Sequence, residues 1–279
     1  MIDILLASYN GEKYLREQID SLLNQTLQDF KIIVRDDGSS DNTLSILNDY
    51  KNKHNDKFIL VNDKLGNLGS TKCFMSLLEY SKSEYIMFCD QDDVWLPTKV
   101  AISYNKIKSL VKPQNYLKPL LVFTDLILSD QNLKKNSESL WKYQKLNPNI
   151  AKKWKYLVAQ NVITGCTIIM NKAAKEASLP MPKELSKIMI HDQWIGINVS
   201  KYGEIDFIND ATILYRQHSN NLEGGQNFNF NYILNKLKGV AEVLRYFKEM
   251  TKYFSEISFF NLFTYKIRLN LLRIFINSK

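Results

Sequence analysis

Apolar residues in the first third of the chain fall into two alternating patterns. Short continuous apolar runs, which are typical of buried strands, occur at residues 3–9, 31–35, 58–61 and 85–89. Between these runs, apolar side chains recur at helical spacing at residues 14–25, 43–50 and 70–80. Strands that alternate with helices of about a dozen residues are typical of βαβ units. The sequence therefore predicts an α/β fold with a mostly parallel sheet flanked by helices.

The pattern becomes looser after Pro97. Further elements are predicted as strands at 120–128, 165–170 and 204–208, a helix at 191–202 and an irregular polar insertion at 129–148. The last fifty residues have an amphipathic helical pattern, for instance at Leu237, Val240, Leu244 and Phe247. We therefore predict an α/β domain at residues 1–225 and a helical C-terminal extension at 226–279.

Three carboxylates follow the strand at 85–89 within four residues, at Asp90, Asp92 and Asp93. Like charges this close repel each other, and each carboxyl would have a raised pKa unless a cation lies among them. Hard oxygen ligands suit Mg²⁺ or Mn²⁺, which commonly bind one or two carboxylates together with substrate phosphates. The first hypothesis is therefore a divalent metal that holds a diphosphate. The alternative is an acidic turn that only ends the strand.

A second polar turn, Asp36-Asp37-Gly38-Ser39-Ser40-Asp41, follows the strand at 31–35. It places acceptor groups at the carboxyl end of the sheet, where open α/β folds bind ligands. A carboxylate there can accept a hydrogen bond from a base N–H or from ribose hydroxyls. The alternative is a plain turn with a cap for the helix that starts at Thr43.

Composition and missing motifs narrow the class of protein. The chain of 279 residues is 45% hydrophobic and 24% charged, which is ordinary for a globular protein of one large domain or one domain with an appendage. The first strand is not followed by G-x-G-x-x-G, and no Walker A lysine loop is present, which disfavours a plain Rossmann dehydrogenase. No transmembrane helix or signal peptide is expected. Cys73, Cys89 and Cys166 lack metal-ligand spacing and are expected to be buried free thiols in a reducing cytosol.

The net charge of +8 is concentrated near the C-terminus. Residues 231–279 contain nine Lys or Arg against three Asp or Glu, a balance of +6. Nucleic-acid binding is the usual interpretation of a basic tail rich in aromatic residues. The amphipathic spacing instead favours a helix that docks on the body, lies on a membrane surface or forms a dimer contact. We expect no nucleic-acid partner.

Several motifs, taken in order, resemble the inverting family-two glycosyltransferases of the A-type fold. The resemblance runs from residue 1 to about 220 and is carried by Ser8-Tyr9-Asn10, Gln25-Thr26, the turn at 36–41, Asn67-Leu68-Gly69 and Asp90-Gln91-Asp92-Asp93.

The downstream motifs refine this resemblance. Asp-Gln-Asp-Asp-Val-Trp, followed by His191-Asp192-Gln193-Trp194 and Tyr215-Arg216-Gln217-His218, is most similar to the rhamnosyltransferase-like subset of bacterial polysaccharide synthesis. That subset builds capsule, O-antigen and cell-wall polysaccharides from dTDP-L-rhamnose.

The resemblance implies a donor site at the carboxyl ends of the first strands. Ala7, Ser8 and Tyr9 would line the nucleotide base. Asp37 would accept a hydrogen bond from the pyrimidine N3–H, and Asp90 would lie near the ribose.

The resemblance also implies a Mn²⁺ or Mg²⁺ cofactor. Asp92 would be the main metal ligand of the D-x-D motif, with Asp93 as a supplement. His218 matches the place where some relatives bring a further ligand, and Arg216 would reach the diphosphate. The alternative for His218 is a solvated loop histidine.

Inversion requires a carboxylate on the opposite face of the sugar to take the proton of the acceptor hydroxyl. The resemblance makes Asp192 the candidate base, although His191 stands where relatives have Glu; the alternative is a helix N-cap pair. Thr164 and Gly165 are expected to line the floor between donor and acceptor, because a small residue permits close approach. Residues 221–225 are a candidate lid.

Parts of the sequence also fit three other classes of protein. The run from Asp90 to Val94 formally matches the D-x-D-x-[TV] motif of haloacid-dehalogenase-like phosphatases, but there it follows the first strand rather than the fourth. A sugar nucleotidyltransferase would need a Gly-rich basic loop after the first strand, and Gly11-Glu12-Lys13 is a poor version of one. A third class is a non-catalytic glycan- or membrane-binding module.

The implied partners follow from the resemblance. The donor would be a nucleotide sugar, with dTDP-L-rhamnose favoured and UDP-glucose or UDP-galactose as alternatives. The acceptor would be a saccharide or a polyprenyl-diphosphate-linked chain. We expect a cytoplasmic protein, in peripheral contact with the anionic inner face of the membrane or dimeric through its C-terminal helices.

Overall fold

The computed structural model describes residues 1–113, 117–218 and 239–275. The first third of the chain alternates strands and helices as predicted. Its elements are β1 (Ile2–Ser8), α1 (Leu15–Leu23), β2 (Phe30–Asp36), α2 (Thr43–Lys53), β3 (Phe58–Leu60), α3 (Ser70–Tyr80) and β4 (Tyr85–Cys89).

The middle of the chain is less regular. Its strands and helices are β5 (Val94–Trp95), α4 (Lys99–Leu110), β6 (Leu120–Ser129), β7 (Lys135–Ser137), α5 (Leu140–Tyr143), α6 (Trp154–Ala159), β8 (Ile169–Asn171), α7 (Lys172–Ser178), α8 (His191–Tyr202) and β9 (Glu204–Arg216). Short 3₁₀ turns lie at Pro148–Lys152, Gly165–Thr167 and Leu185–Lys187.

The strands form one mixed sheet in the order β3-β2-β1-β4-β8-β6-β9-β5, with β7 paired to β6. The four strands from β3 to β4 are parallel, as the βαβ pattern predicts. Beyond β4, strand β8 is antiparallel to both β4 and β6, whereas β6 and β9 run parallel. The predicted α/β class with flanking helices is confirmed, and the parallel arrangement applies to the N-terminal half.

Each face of the sheet has its own apolar core. Ile4, Leu6, Ile32 and Val34 point to one side, and Leu5, Ile33 and Phe88 point to the other, so adjacent residues alternate between the two clusters. The central strands are buried on both faces, which explains why they appear in the sequence as continuous apolar runs.

The polar insertion predicted at 129–148 is more ordered than its sequence indicates. It contains β7 and α5, and the Trp141 ring packs against Phe123 and Phe207 with ring centroids 5.5 and 5.7 Å away. The strand predicted at 165–170 begins later, because the chain first makes a 3₁₀ turn at Gly165–Thr167. That turn contributes to the site described below.

Two helices close the described chain, α9 (Val240–Tyr253) and α10 (Phe259–Phe275). Phe247 and Met250 of α9 and Leu262 and Leu269 of α10 are buried in the same cluster as one face of the sheet. The C-terminal helices therefore dock on the body. Within the described residues, no helix is both long and apolar enough to cross a bilayer.

Candidate active site

A cavity of about 580 Å³ opens at the carboxyl ends of β1, β2 and β4. Its volume lies within the range that small-molecule sites occupy in proteins. Seventeen residues line it: Ala7, Ser8, Tyr9, Asn10, Gly11, Lys13, Tyr14, Asp37, Asn67, Gly69, Ser70, Cys73, Phe74, Asp90, Gln91, Gln131 and His218.

The loop after β1 is fixed to the turn after β2. The Asn10 backbone N–H donates to Ser39 Oγ at 2.9 Å, and the Ser40 N–H donates back to Asn10 Oδ1 at 2.9 Å. Asp36 accepts hydrogen bonds from the backbone N–H groups of Gly38 and Ser39. Most of the Asp36–Asp41 motif therefore builds the turn, which was the alternative interpretation of this motif. Within the motif, only Asp37 lines the cavity.

Asp37 lies in a dense network of donors. Its carboxylate accepts from the backbone N–H groups of Leu68 and Gly69, each at 2.8 Å, and pairs with the buried guanidinium of Arg35. Arg35 also donates to both carboxylate oxygens of Asp63 and to the Gly66 carbonyl oxygen. The network fixes the loop at 63–69 against the end of β2 and holds the Asp37 carboxylate at the edge of the cavity.

Gln91 connects the acidic segment to the loop after β1. Its Oε1 accepts from the Tyr9 N–H at 2.8 Å, and its Nε2 donates to the Tyr9 carbonyl oxygen at 2.9 Å. A β-carbon built on Gly11 would lie 2.3 Å from Gln91 Oε1, so a larger residue at position 11 would displace this amide. Gln91 lies between two carboxylates of the motif, yet its own role was not recognised from the sequence.

The acidic segment contains one close pair with a distant residue. Asp92 Oδ2 and His218 Nε2 are 2.8 Å apart, and their side chains are 17% and 11% exposed. The His218 ring also stacks on Tyr14, with centroids 5.1 Å apart. The structure thus brings together two of the three residues that the sequence proposed as metal ligands.

A second group of potential ligands lies deeper. One ligand atom each from Asp90, Asp93 and Cys166 lies within 4.8 Å of the others. Burial, reinforced by the Asp92 charge, raises the pKa of Asp90 to about 7, and burial likewise raises the pKa of Asp93 well above its usual range. Asp93 Oδ2 is buried with no hydrogen-bond partner among the described residues.

The two groups differ in their suitability for a metal that also contacts a diphosphate. Burial raises the pKa of the Cys166 thiol well above its usual range, and a protonated thiol is a poor ligand for Mg²⁺ or Mn²⁺. Asp93 is fully buried, and one of its oxygens accepts the Arg216 backbone N–H at 3.0 Å. His218 and Asp90 instead line the cavity, and Asp92 lies 2.8 Å from His218. This edge fits a hard divalent cation better than the deeper cluster does.

Arg216 lies behind the acidic segment rather than in the cavity lining. Its guanidinium is buried, donates to the carbonyl oxygens of Asp92 and Gln131 at 2.7 and 2.6 Å, and pairs with Glu17 at 2.5 Å. It also lies 4.4 Å from the centroid of the Tyr14 ring. In this arrangement Arg216 orients the Asp92 loop. Lys13 does line the cavity, and it was not among the residues predicted from the sequence.

Asp192 lies in the first turn of α8, where the helix dipole favours a carboxylate. Its Oδ2 accepts from the Gly165 N–H at 2.9 Å, and its Oδ1 accepts from Asn161 Nδ2 at 3.0 Å. Gly165 is followed by Cys166, whose sulfur approaches Asp90 and Asp93. One short turn therefore links the candidate base to the carboxylates at the cavity.

His191 is packed in apolar surroundings. Its ring stacks on the Phe74 ring, with the two centroids 4.3 Å apart. Burial lowers the pKa of His191 to about 3, so the imidazole is neutral. A β-carbon on Gly165 would lie 2.7 Å from His191 Nε2 and 3.6 Å from Asp192 Oδ2. Because Phe74 lines the cavity, His191 lies directly behind that wall.

The predicted residues therefore divide into two groups. Those that line the cavity are Ala7, Ser8, Tyr9, Asp37, Asp90 and His218. Those that surround it without lining it are Asp92, Asp93, Thr164, Gly165, His191, Asp192 and Arg216. The candidate lid at 221–225 lies outside the described residues.

Comparisons with known proteins show which family and fold the chain shares. The sequence model described as Glycosyl transferase family 2 matches residues 3–177. The dTDP-rhamnosyl transferase RfbG of Shigella flexneri is 28% identical over 258 residues, which cover 88% of this chain and 82% of RfbG.

Two solved structures share the fold. S. aureus TarS 1-349 in complex with UDP-GlcNAc has a TM-score of 0.62 and 19% identity, over 99% of this chain and 73% of that one. The mannosyltransferase PcManGT of Pyrobaculum calidifontis, in complex with GDP-Man and Mn²⁺, has a TM-score of 0.59 and 14% identity, over 90% of this chain and 64% of that one.

Proposed function

Because the chain belongs to glycosyl transferase family 2, we propose that it is a metal-dependent inverting enzyme that transfers a sugar from a nucleoside-diphosphate donor. The observation that carries the proposal is the cavity itself. Asp37, Asp90 and His218 all line it, so the proposed base acceptor and the proposed metal-binding edge open onto one space.

We assign the donor nucleotide to the walls formed by Ala7, Ser8, Tyr9 and Asp37. Asp37 has two backbone N–H donors and Arg35 as partners, and a carboxylate has about four acceptor sites, which leaves capacity for one further donor. A pyrimidine N3–H of thymine or uracil fits that acceptor. Lys13 supplies a positive charge at the cavity wall for the diphosphate.

We assign a Mn²⁺ or Mg²⁺ ion to Asp92 and His218, with Asp90 beside them and Asp93 as a supporting carboxylate. When bound, such an ion stabilises the negative charge that develops on the departing diphosphate. Arg216 and Gln91 position this edge, the first through the Asp92 carbonyl oxygen and the second through Tyr9. Arg216 thus acts on the diphosphate indirectly in this assignment.

We assign the general base to Asp192. The acceptor hydroxyl oxygen attacks the anomeric carbon, its proton passes to the Asp192 carboxylate, and the bond to the diphosphate oxygen breaks with its electron pair on the leaving group. Attack opposite the leaving group inverts the anomeric centre. Asn161 and the Gly165 N–H hold the carboxylate in place. We assign the floor between donor and acceptor to Thr164, Gly165 and His191, next to this carboxylate.

We favour dTDP-L-rhamnose as the donor because RfbG, described as a dTDP-rhamnosyl transferase, matches most of this chain. UDP-glucose and UDP-galactose are the alternatives. For the acceptor we propose a growing bacterial surface polysaccharide or a lipid-linked oligosaccharide, met at the cytoplasmic face of the membrane. We further propose residues 1–225 as the catalytic domain, because each candidate site residue lies within it, and 226–279 as an extension that contacts the membrane.

Product analysis tests this function against its rivals. The purified chain is incubated with dTDP- or UDP-sugars and Mn²⁺, and the released nucleotide and phosphate are separated by chromatography. Release of nucleoside diphosphate supports a glycosyltransferase. Orthophosphate from a phosphomonoester would indicate a phosphatase, pyrophosphate from a nucleoside triphosphate and sugar phosphate would indicate a nucleotidyltransferase, and no product would favour a binding module.

A further inference from the structure

The last described helix, α10, is apolar on two opposite faces. Its inner face, with Leu262 and Leu269, is buried against the body. Its outer face has five large apolar residues spaced three or four apart, each between 40% and 71% exposed: Phe260, Phe263, Ile267, Leu271 and Ile274. We call this set the outer stripe. At about 100° per residue these five positions share an arc of roughly 80°.

An exposed stripe of this kind is unusual for a surface that faces only water. Single exposed apolar side chains are common, but a contiguous row marks a contact surface. The row continues over about 21 Å of helix, at 1.5 Å per residue from Phe260 to Ile274. Its occupant must therefore be extended and apolar at the point of contact.

The charges of α10 indicate what that occupant is. The helix contains Lys266, Arg268 and Arg273 and no Asp or Glu. Helical geometry places Lys266 and Arg268 on the two flanks of the outer stripe, whereas Arg273 is on the inner side, where it donates to the Gln144 carbonyl oxygen. An apolar row flanked by Lys and Arg is the pattern of helices that lie in the interface of anionic membranes.

A second copy of the chain is a poorer fit. A two-fold contact through the outer stripe would bring Lys266 and Arg268 of both copies together, and α10 offers no carboxylate to pair with them. The described part of the helix is also shorter than a bilayer core, because its 17 residues reach about 26 Å against a hydrocarbon thickness of about 30 Å. A parallel position on the surface satisfies both its faces.

We propose that the outer stripe of α10 seats this protein on an anionic lipid surface, with the helix axis parallel to the membrane plane. The inference deepens the proposed function, on which it rests for its purpose: a lipid-linked acceptor would be met at that surface. Lys266 and Arg268 contact the lipid headgroups while the outer stripe enters the boundary of the acyl chains.

The membrane contact has to be tested with point substitutions rather than with a truncation. Deleting the C-terminal helices would remove Phe247 and Met250 from the core, and with them Tyr246, whose hydroxyl accepts from Gln193 beside the candidate base. Loss of binding or activity in such a truncation could reflect unfolding. Point substitutions on the exposed stripe avoid this, because they change no buried side chain.

The experiment is flotation of the full chain with vesicles, at low and high salt. One set of vesicles contains equal parts of phosphatidylcholine and phosphatidylglycerol, and the other contains phosphatidylcholine alone. The stripe variant combines Phe260→Ser, Ile267→Ser and Leu271→Ser. The matched control combines Leu44→Ser, Tyr80→Ser and Leu117→Ser, which are comparably exposed elsewhere on the surface. Light scattering reports the oligomeric state of each protein.

We expect the unmodified chain and the control to float with the anionic vesicles at low salt, and to lose binding as salt rises because surface attractions are screened over about 8–10 Å. The stripe variant should bind at least about tenfold less, and Lys266→Gln or Arg268→Gln should each weaken binding by about fivefold.

Equal flotation of the stripe variant, or no flotation of the unmodified chain at low salt, overturns the proposal. So does a dimer of the unmodified chain that the stripe variant dissociates, because the stripe would then be a subunit interface. Release of nucleoside diphosphate in the absence of vesicles is measured in parallel. Its persistence without flotation would reject the membrane contact alone, whereas flotation without such release would reject the proposed enzyme alone.

Discussion

His218 Nε2 lies 2.8 Å from Asp92 Oδ2, although the two residues are 126 positions apart in the chain. Strand β9 ends at Arg216 and brings His218 to the segment that follows β4. Asp93 accepts the Arg216 backbone N–H, so the same segment is held from both sides. The pair therefore joins the N-terminal, parallel half of the sheet to the end of β9.

Replacing the histidine should weaken metal binding without removing the carboxylates. In His218→Gln we expect the Mn²⁺ concentration for half-maximal activity to rise by about tenfold or more, which corresponds to about 1.4 kcal/mol of lost metal affinity. Saturating Mn²⁺ should restore much of the rate. His54→Gln, on the surface at the end of α2, is the matched control. An unchanged metal requirement in His218→Gln would remove His218 from the ligand set.

Metal affinity should fall in acid. The pKa of Asp90 is raised to about 7 in the metal-free fold, mainly by burial and then by the Asp92 charge. Between the usual carboxyl pKa near 4 and this value, the folded state binds the extra proton, so the free energy of unfolding of the metal-free protein decreases as pH rises through that window. A cation competes with that proton.

Calorimetric titration with Mn²⁺ below and above pH 7 measures this competition. Below pH 7 we expect weaker Mn²⁺ binding and greater proton release on binding. In Asp90→Asn, Mn²⁺ affinity should change less with pH. Binding that is equally tight on both sides, with no proton release, would mean that Asp90 stays ionised without the metal.

The candidate base can be separated from the donor site. Asp192→Asn keeps the shape of the side chain and should retain the bond from Gly165, but an amide cannot take the acceptor proton. We expect transfer to the acceptor to fall by about 10²–10⁴-fold, while nucleotide and Mn²⁺ binding stay unchanged in a thermal-shift assay. Normal transfer would reduce Asp192 to a structural residue, and loss of nucleotide binding would move it to the donor site.

Nucleotide selectivity should depend on Asp37. We expect dTDP and UDP, with Mn²⁺, to stabilise the protein more than CDP or GDP, because only thymine and uracil offer an N3–H to this acceptor. An unpaired buried acceptor costs about 1–3 kcal/mol. In Asp37→Asn the preference should disappear, with Asp49→Asn on α2 as the exposed control. GDP stabilising the unmodified chain more than both pyrimidine nucleotides would overturn the assignment.

The sequence identified the regions of this site better than the individual contacts. The run from Asp36 to Asp41 marked a turn that lies beside the cavity, but Asp36 binds its own turn while Asp37 faces the cavity. The difference depends on Arg35, a charged residue inside an otherwise apolar strand, and on backbone N–H groups thirty residues away. Local composition cannot specify such long-range partners.

Long-range packing also decided the position of Arg216 and the exposure of α10. The resemblance implied that Arg216 reaches the diphosphate, yet tertiary contacts with Glu17 and the Asp92 carbonyl oxygen hold it outside the cavity lining. The C-terminal helices were predicted from their spacing, but periodicity alone could not show that α10 has a second apolar face left exposed. Elements with strong apolar patterns were predictable, whereas side-chain direction was decided by packing.

Metal-dependent release of nucleoside diphosphate from a nucleotide sugar tests the central claim most directly. With dTDP-L-rhamnose or a UDP-hexose and Mn²⁺, the unmodified chain should release the diphosphate. Excess EDTA and Asp92→Asn should each lower the rate by about a thousandfold or more, because metal catalysis supplies several kcal/mol, while Asp49→Asn should be unaffected. Full turnover in excess EDTA, or in Asp92→Asn with its fold intact, would contradict the account.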